Sequence, residues 1–290
     1  MADPLHRTGE QARTDGRSSR GGRARNSAGR RRVDPTFYSR YECKYLVRPV
    51  VVPEMREFIR PFARPDGFAA LQPNNRYAVC SLYLDSEDLV LYQQTVGGEK
   101  DRFKLRVRTY SDDPGTPAFT EVKKKVNNIV HKRRAGLTRA QAARLLVERS
   151  VDWLEELPVS KRDDVDYFNH HVELIGARPV ARVKYMREAY EAKGNEPARI
   201  TIDTELMHCL TLNDDLRHGP GRWTTTPLDG TIVEIKFTER YPWWIQEFIR
   251  VFDLRQQAVP KYVLSVDHLL MHGRESAITL AGMTLPPHRA

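Results

Sequence analysis

The sequence predicts an α+β fold that is dominated by one antiparallel β-sheet. About seven segments alternate between apolar and polar residues with the period of two that is typical of strands. The connections between neighbouring segments are mostly short, which favours antiparallel pairing because parallel strands need a long crossover. Helical periodicity occurs between the strands and again after the last one, so we expect helices both inserted into the sheet and following it.

The beginning of the chain differs in composition from the rest. Residues 1–33 contain nine Arg against three acids and almost no apolar residues, and the whole chain of 290 residues has a net charge of +9. A segment of this composition cannot build a core, so we expect a disordered arm over 1–33, a folded domain over 34–275 and a tail over 276–290. The arm is either passive or a nonspecific contact for polyanions or membrane surfaces.

Cysteine usage and hydropathy bear on the compartment. Cys43, Cys80 and Cys209 are far apart and form no CxxC motif, which predicts free thiols in a reducing compartment and no zinc site. The arm lacks the apolar region of a secretory signal, and no apolar run is long enough to span a membrane. We therefore expect a soluble, cytoplasmic protein.

The first part of the folded domain alternates strands with short helices. Residues 37–47 alternate as a strand, and the helix that follows begins at Pro53. Residues 76–85 are rich in aromatic and β-branched side chains, which predicts a second strand. Ser86 is an expected N-cap, so the next helix is predicted to begin there and to end at the glycines of 97–98.

The central feature is a predicted hairpin over residues 102–126. Its arms, RFKLRVRTY and FTEVKKKV, alternate with period two and are joined by a turn rich in Asp, Pro and Gly. One face of the first arm carries Arg102, Lys104, Arg106 and Arg108. This face either meets water, as in a half-exposed sheet, or lines the inside of a barrel that holds a polyanion. Enclosing like charges is costly without compensation, so the second interpretation requires anions or acids inside.

The second half continues the pattern of strands and helices. Thr138 is expected to cap an amphipathic helix, and a further helix is predicted from about Arg162 to Ile175, both packing outside the sheet. Strands follow at 179–190, 198–206 and 231–237, the first with charge on both faces, so its inward face is open from the pattern alone. A last turn and helix close the domain. Before them lies an apolar helix, whose expected core residues are Trp243, Trp244, Phe248, Val251 and Phe252.

Three predicted strands carry an acid and a base two residues apart on one face. The pairs are Glu42 with Lys44, Glu121 with Lys123, and Glu234 with Lys236. A single pair of this kind is commonly a cross-strand contact at the surface. Three pairs, together with the basic residues Arg106, Arg108 and Arg199, are better explained by a barrel interior. There the cations would bind phosphate oxygens, and the glutamates would hold a divalent cation, Mg²⁺ or Mn²⁺.

The ordered series of segments resembles a known family. The segments that carry the resemblance are RYECKYLV, SLYLDSEDLVLY, FKLRVRTY, FTEVKKK, VKYMREAY, RITIDTEL, TIVEIKF, PWWIQEF and VPKYVLSV. They are similar to the VTC-domain, or polyphosphate polymerase, branch of the triphosphate tunnel metalloenzyme (CYTH-like) superfamily, over about residues 36–272. The resemblance implies an antiparallel eight-stranded β-barrel, the triphosphate tunnel, with helices packed outside. It also implies metal-dependent transfer of the terminal phosphate of a nucleoside triphosphate to a growing polyphosphate chain.

The resemblance further implies roles for single residues. The residues expected to act on the transferred phosphate are Arg106, Arg108, Lys123 and Arg187. The residues expected to bind substrate are Lys44, Tyr185, Arg199 and Lys261, which favours the face of the strand at 179–190 that carries Tyr185 and Arg187. The metal is expected at Glu234, and the acid–base pairs add Glu42 and Glu121 as candidates. The closing VPKYV is shorter than the family's version, and the basic run at 131–134 matches only loosely.

Three functions remain open at this point. The first is a polyphosphate polymerase, the second is an inorganic or organic triphosphatase with water as acceptor, and the third is a polyanion-binding module without activity. The expected partners are a nucleoside triphosphate and polyphosphate. A specific nucleic acid is not expected, because the basic residues lie on strands beside acids and not among exposed aromatic residues on loops. Phosphoryl transfer needs positioning and charge neutralisation more than a protein nucleophile.

Overall fold

The structure, a computed structural model, describes residues 40–127, 129–149, 152–194, 197–238 and 240–272. The predicted arm at 1–33 and the predicted tail at 276–290 lie outside these residues, as does the first part of the strand predicted at 37–47. Those domain boundaries therefore stay predictions.

Eight long strands of the described chain form one antiparallel sheet. In spatial order they are β1 (Arg40–Val47), β10 (Thr231–Thr238), β8 (Ala198–Leu210), β7 (Arg178–Ala192), β3 (Arg76–Asp85), β4 (Arg102–Thr109), β5 (Ala118–Val126) and β6 (Ile129–Leu137). Two short strands, β2 (Ala63–Pro65) and β9 (Thr224–Thr225), pair with β7 and β8. The predicted fold class is confirmed, with one more long strand than the alternation alone had indicated.

The additional strand is β6, which contains the basic run at 131–134. Its sequence, IVHKRRAGL, places polar or charged side chains at successive positions, so no period of two is visible. It forms a strand because it pairs with β5 along its whole length, from Leu137 opposite Ala118 to Ile129 opposite Val126.

The sheet is strongly curled into a half-barrel. Its edge strands are β1 and β6, and no backbone ladder joins these two edges in the residues that the structure describes. A side-chain contact bridges the concave side instead, because Lys123 Nζ on β5 lies 2.9 Å from Glu42 Oε2 on β1. The inner faces of distant strands therefore look onto a common space.

The described chain also forms six α-helices, which pack on both faces of the sheet. They are α1 (Val52–Ile59), α2 (Val90–Val96), α3 (Arg139–Val147), α4 (Val159–Leu174), α5 (Trp243–Val251) and α6 (Lys261–His272). One apolar cluster packs α1 and α5 on the outer face of β1, β8 and β10, and a second packs α3 and α4 on the outer face of β4, β5 and β6. A third includes α2, α6 and inward residues of β3 and β7, so α6 covers part of the concave face.

The first residues of α3 and α2 can be compared with the two N-caps that were predicted. Thr138 caps α3 as expected, because its hydroxyl accepts from Gln141 N while the Gln141 side chain accepts from Thr138 N. The prediction that α2 begins at Ser86 was wrong, since α2 begins at Val90. The N–H of Val90 donates to Ser86 Oγ, and those of Leu91 and Tyr92 donate to the buried carboxylate of Asp85, which tertiary packing places under the helix.

The apolar helix α5 is only partly a core element. Trp244 and Phe248 are buried as expected, and Phe252 is partly buried against the same cluster. Trp243 and Val251 are 64% and 53% exposed, so their assignment to the core was wrong. The helix is amphipathic, and these two side chains lie on its outer side.

Two further observations concern the cysteines and the helices. Cys43, Cys80 and Cys209 are free and buried. None of the helices in the described part of the chain is long and apolar enough to cross a membrane.

Candidate functional site

The inward-facing residues of the curled sheet enclose a cavity of about 670 Å³. Among the described residues that line it, ten are basic and only two, Glu42 and Glu234, are acidic. The basic residues are Lys44, Arg102, Lys104, Arg106, Arg108, Lys123, Lys125, Arg187, Lys236 and Lys261. The cationic face of the central hairpin therefore lies inside the sheet, which decides between the two destinations that the sequence left open.

A buried carboxylate holds the central guanidinium of the hairpin. Glu121 is fully buried, and Arg106 Nε donates to its Oε2 over 2.6 Å. Lys132 Nζ lies 2.6 Å and Arg134 Nε 3.4 Å from the other oxygen. Burial alone would raise the pKa of Glu121, but Arg106 and its neighbouring cations hold it well below the usual range. Glu121 thus lies behind the lining and orients the cations in front of it.

A second buried carboxylate, Asp203 on β8, holds two further cations. Arg187 Nε and Nη2 each donate to its carboxylate over 2.7 Å, and Lys261 Nζ lies 2.8 Å away. Burial would raise the pKa of Asp203, but Arg187 and Lys261 lower it. The ring of Tyr185 lies beside both cations, with its centroid 5.2 Å from Arg187 Cζ and 4.8 Å from Lys261 Nζ.

The two lining carboxylates, Glu42 and Glu234, lie among the lysines Lys44, Lys123 and Lys236. Lys44 Nζ is 2.9 Å from Glu42 and 3.8 Å from Glu234, so it connects the two. Lys236 likewise contacts both carboxylates. Burial would lower the pKa of Lys44, but Glu234 and Glu42 raise it to about 12. Burial would raise the pKa of Glu234, but the lysines around it hold it well below its ordinary value.

The donor set can be compared with the needs of a divalent cation. Within the described residues, no group of three or more His, Cys, Asp or Glu side chains is placed to hold a metal ion. Glu42 and Glu234 nevertheless share a cavity whose cations suit phosphate oxygens. Mg²⁺ is typically bound by one or two carboxylates together with substrate phosphates, and the residues present fit that mode of binding.

Burial and nearby cations shift the pKa of two lining residues, Tyr83 and Lys104. Arg108 is buried and donates from Nε to Ser81 Oγ, and Arg106 Nη1 donates to the hydroxyl of Tyr83. Burial would raise the pKa of Tyr83, but Arg106 and Arg108 lower it to about 8. Burial and the like charges of nearby lysines lower the pKa of Lys104 to about 8.

The sequence of these strands identifies the family to which the chain belongs. The family model of the VTC domain matches residues 39–270, a span that includes every strand of the sheet. The chain belongs to the VTC domain family. The resemblance found in the strand segments is thus confirmed. No curated protein matches the chain.

Solved structures are similar to this VTC domain at low sequence identity. A candidate adenylate cyclase from Bacillus halodurans is 13% identical, with a TM-score of 0.43, covering 77% of this chain and 95% of its own. A candidate adenylyl cyclase from Hippeastrum, whose dominant activity is that of a triphosphatase, is 13% identical, with a TM-score of 0.45, covering 78% of this chain and 95% of its own.

Most of the residues expected at the site meet in the cavity of the VTC domain. The expected residues that line it are Lys44, Arg106, Arg108, Lys123, Tyr185, Arg187, Lys261, Glu42 and Glu234. Glu121 lies behind Arg106, and Arg199 does not line the cavity but pairs with Asp66. Arg199 is opposite Lys236 in the ladder between β8 and β10, so it lies next to the lining.

Sequence reasoning missed several residues of the cavity. Arg102, Lys104 and Lys236 were visible in the alternation but had not been assigned to the site, and Lys125 belongs to the same face as Lys123. Asp203 was also missed, although the alternation placed it on the same strand face as Arg199 and could have identified it. The cation-lined cavity inside the half-barrel is called the tunnel. Family membership and this tunnel together support an enzyme that acts on phosphate compounds.

Proposed function

We propose that this VTC domain is a metal-dependent polyphosphate polymerase, which transfers the terminal phosphate of a nucleoside triphosphate to a growing polyphosphate chain. The observation that supports it best is the excess of cations in the tunnel, ten against two carboxylates among the described lining residues. An excess of this size cannot be balanced by the tunnel's own acids. A polyanion inside the tunnel would supply the missing charge.

The length of the cationic path favours a chain substrate over a triphosphate alone. The four cations of β4 run from Arg102 to Arg108 and all line the cavity. Since a strand rises about 3.3 Å per residue, these side chains span roughly 20 Å. That path is longer than three linked phosphates, so it can hold a triphosphate and the end of a second phosphate chain in series.

The proposed transfer needs no protein nucleophile. An oxygen of the chain's terminal phosphate forms a bond to the γ-phosphorus, the bond from that phosphorus to the β–γ bridging oxygen breaks, and the nucleoside diphosphate leaves with that oxygen. The attacking oxygen is already anionic, so no general base is required. Arg106, Arg108, Lys123 and Arg187 are proposed to bind the transferred phosphoryl group, because preorganised cations stabilise the charge that it carries.

The remaining residues are proposed to hold the other phosphates and the metal. Lys44, Tyr185 and Lys261 line the tunnel beside the central cations. Arg199 is proposed to bind substrate phosphate beside the lining, because it neighbours Lys236, although it is paired with Asp66 in the structure. Glu234 and Glu42 would hold a divalent cation together with phosphate oxygens, and the cation would neutralise phosphate charge.

The test is incubation of the purified protein with ATP and Mn²⁺. Polyphosphate should appear as a ladder on a gel, with one ADP released for each phosphate incorporated. ADP and free phosphate without chains would identify a triphosphatase instead. If ATP is bound but not consumed, the protein is a polyanion-binding module and the proposal is wrong.

A further inference from the structure

Like charges face each other at one end of the central hairpin. In the ladder between β4 and β5, Arg102 is directly opposite Lys125, and Lys104 is directly opposite Lys123. All four side chains line the cavity. Directly opposed like charges on neighbouring antiparallel strands destabilise a sheet. Two such pairs in succession therefore oppose folding of the ligand-free hairpin and call for a compensating anion.

The cations of the cavity fall into two groups. Those with a carboxylate within 4.0 Å are Lys44, Arg106, Lys123, Arg187, Lys236 and Lys261. Arg102, Lys104 and Lys125 have no such partner among the residues that the structure describes. Arg108 also lacks a carboxylate, but it is buried and bonded to Ser81 in the centre of the tunnel.

The three unpaired cations lie together at one mouth. Arg102 is the first residue of β4, and Lys125 is next to the last residue of β5. Beyond them Asn127 and Ile129 are exposed. Arg108 lies near the opposite end of β4 and is buried. The mouth is thus a cluster of uncompensated positive charge at the edge of a tunnel whose centre is mostly ion-paired.

We propose that Arg102, Lys104 and Lys125 form a subsite for the polyphosphate chain, separate from the triphosphate site in the centre of the tunnel. The inference rests on the proposed function and adds a direction to it, with the chain passing the mouth at the end of the β4–β5 hairpin. Each internal phosphate of such a chain carries a negative charge, so consecutive phosphates match consecutive cations along β4 and β5. These cations form no ion pair with a carboxylate of the described residues. A phosphate chain can therefore bind them without an ion pair first being broken.

The test compares a long polyphosphate with tripolyphosphate by isothermal titration calorimetry at physiological salt. We expect wild type to bind the long chain about tenfold more tightly than tripolyphosphate, because the long chain reaches the mouth as well as the centre. The double variant Arg102→Gln, Lys125→Met should lose most of this difference, with a much smaller loss of tripolyphosphate affinity. Its long-chain binding should also depend less on salt concentration, since fewer cations are neutralised.

Lys124→Met is the matched control. Lys124 is the neighbour of Lys125 on the same strand but is absent from the cavity lining, so its replacement removes from the outer face the single charge that Lys125→Met alone removes from the cavity. This control should keep the wild-type preference for the long chain. The same loss in Lys124→Met and in the single variant Lys125→Met would overturn the subsite, as would equal losses for both ligands in the double variant. If wild type binds neither ligand, the proposed function itself fails.

Discussion

Lys104 and Tyr83 are two titratable groups of the tunnel, and nearby cations lower the pKa of both. The pKa of Lys104 is lowered to about 8 by burial and by the lysines beside it. The pKa of Tyr83 is lowered to about 8 because Arg106 and Arg108 outweigh its burial. A bound polyphosphate reverses both effects, because it favours a charged lysine and a neutral tyrosine. Both groups should therefore take up protons when phosphate binds.

The first prediction is a pH-dependent affinity. Above pH 8 ligand-free Lys104 loses its proton, so the affinity for long polyphosphate should fall as the pH rises through 8. Calorimetry in buffers of different ionisation enthalpy measures the proton uptake. Replacing Lys104 by Met and Tyr83 by Phe should remove the share of the proton uptake that these two groups contribute. Equal uptake by wild type and variant would contradict this assignment.

The sign for stability without ligand is the opposite. The pKa of Lys104 is lower in the folded protein than its ordinary value of 10.5. Between pH 8 and 10.5 the unfolded chain binds more protons at this site, so the contribution of Lys104 to the free energy of unfolding rises with pH in that window. The pH dependence of affinity and the pH dependence of ligand-free stability are therefore distinguishable at this residue.

The second prediction concerns Glu234 as metal ligand. Glu234→Gln should abolish turnover at any Mn²⁺ concentration while the fold survives, because Lys44 and Lys236 both keep contact with Glu42. Activity as a function of Mn²⁺, together with a thermal melt, measures the two effects. The metal assignment would be wrong if the variant at saturating Mn²⁺ worked within a few-fold of wild type.

At the scale of elements, Asp85 joins a strand to two helices. Its buried carboxylate at the end of β3 accepts from the backbone N–H groups of Leu91 and Tyr92 in α2 and from the hydroxyl of Tyr262 in α6. Tyr262 also lines the cavity and stacks on Tyr83 at 4.8 Å. Asp85 therefore fixes the helix that covers the concave face.

The third prediction tests this junction. Asp85→Ala should lower the free energy of unfolding by about 3 kcal/mol, because it leaves several buried donors without an acceptor. Tyr262→Phe removes a single bond and should cost about 1 kcal/mol. Ser86→Ala is the matched control, since Ser86 accepts only the N–H of Val90. Denaturant unfolding measures all three, and an equal cost for Ser86→Ala and Asp85→Ala would contradict the capping role.

At the scale of the whole molecule, the fold holds a surplus of positive charge that a ligand should relieve. The fourth prediction is that tripolyphosphate raises the melting temperature far more than monophosphate at equal ionic strength. A ligand that binds only the folded state adds about 2.7 kcal/mol at about a hundredfold excess over Kd. Arg106→Ala should lose most of this gain, and it should also lower the ligand-free stability because the buried Glu121 loses the guanidinium that donates to it.

Melting curves of wild type and Arg106→Ala, with and without tripolyphosphate, decide the matter. Equal ligand-induced shifts in the two proteins would remove Arg106 from the phosphate site. Physiological salt is essential, because it screens exposed charges over about 8 Å and leaves buried ones much less affected.

The sequence by itself determined the local part of this protein. Alternation with period two identified seven of the eight long strands, and the acid–base pairs at Glu42, Glu121 and Glu234 pointed to a shared interior. These features were readable because the direction of a side chain on a strand depends only on its position along that strand. The cap at Thr138 was predictable for the same reason, since capping involves neighbours in the chain.

The tertiary structure alone decided which distant charges meet. Strand β7 carries charge on both faces, and packing directs Arg187 inward to Asp203 while Arg182 lies on the outer face, bound to Asp215. The contact of Lys123 with Glu42 joins strands at opposite sides of the half-barrel. Such pairings depend on strand order, register and curl, which arise from the whole sheet. No local pattern encodes them, and so the partners of the tunnel's cations could be known only from the folded chain.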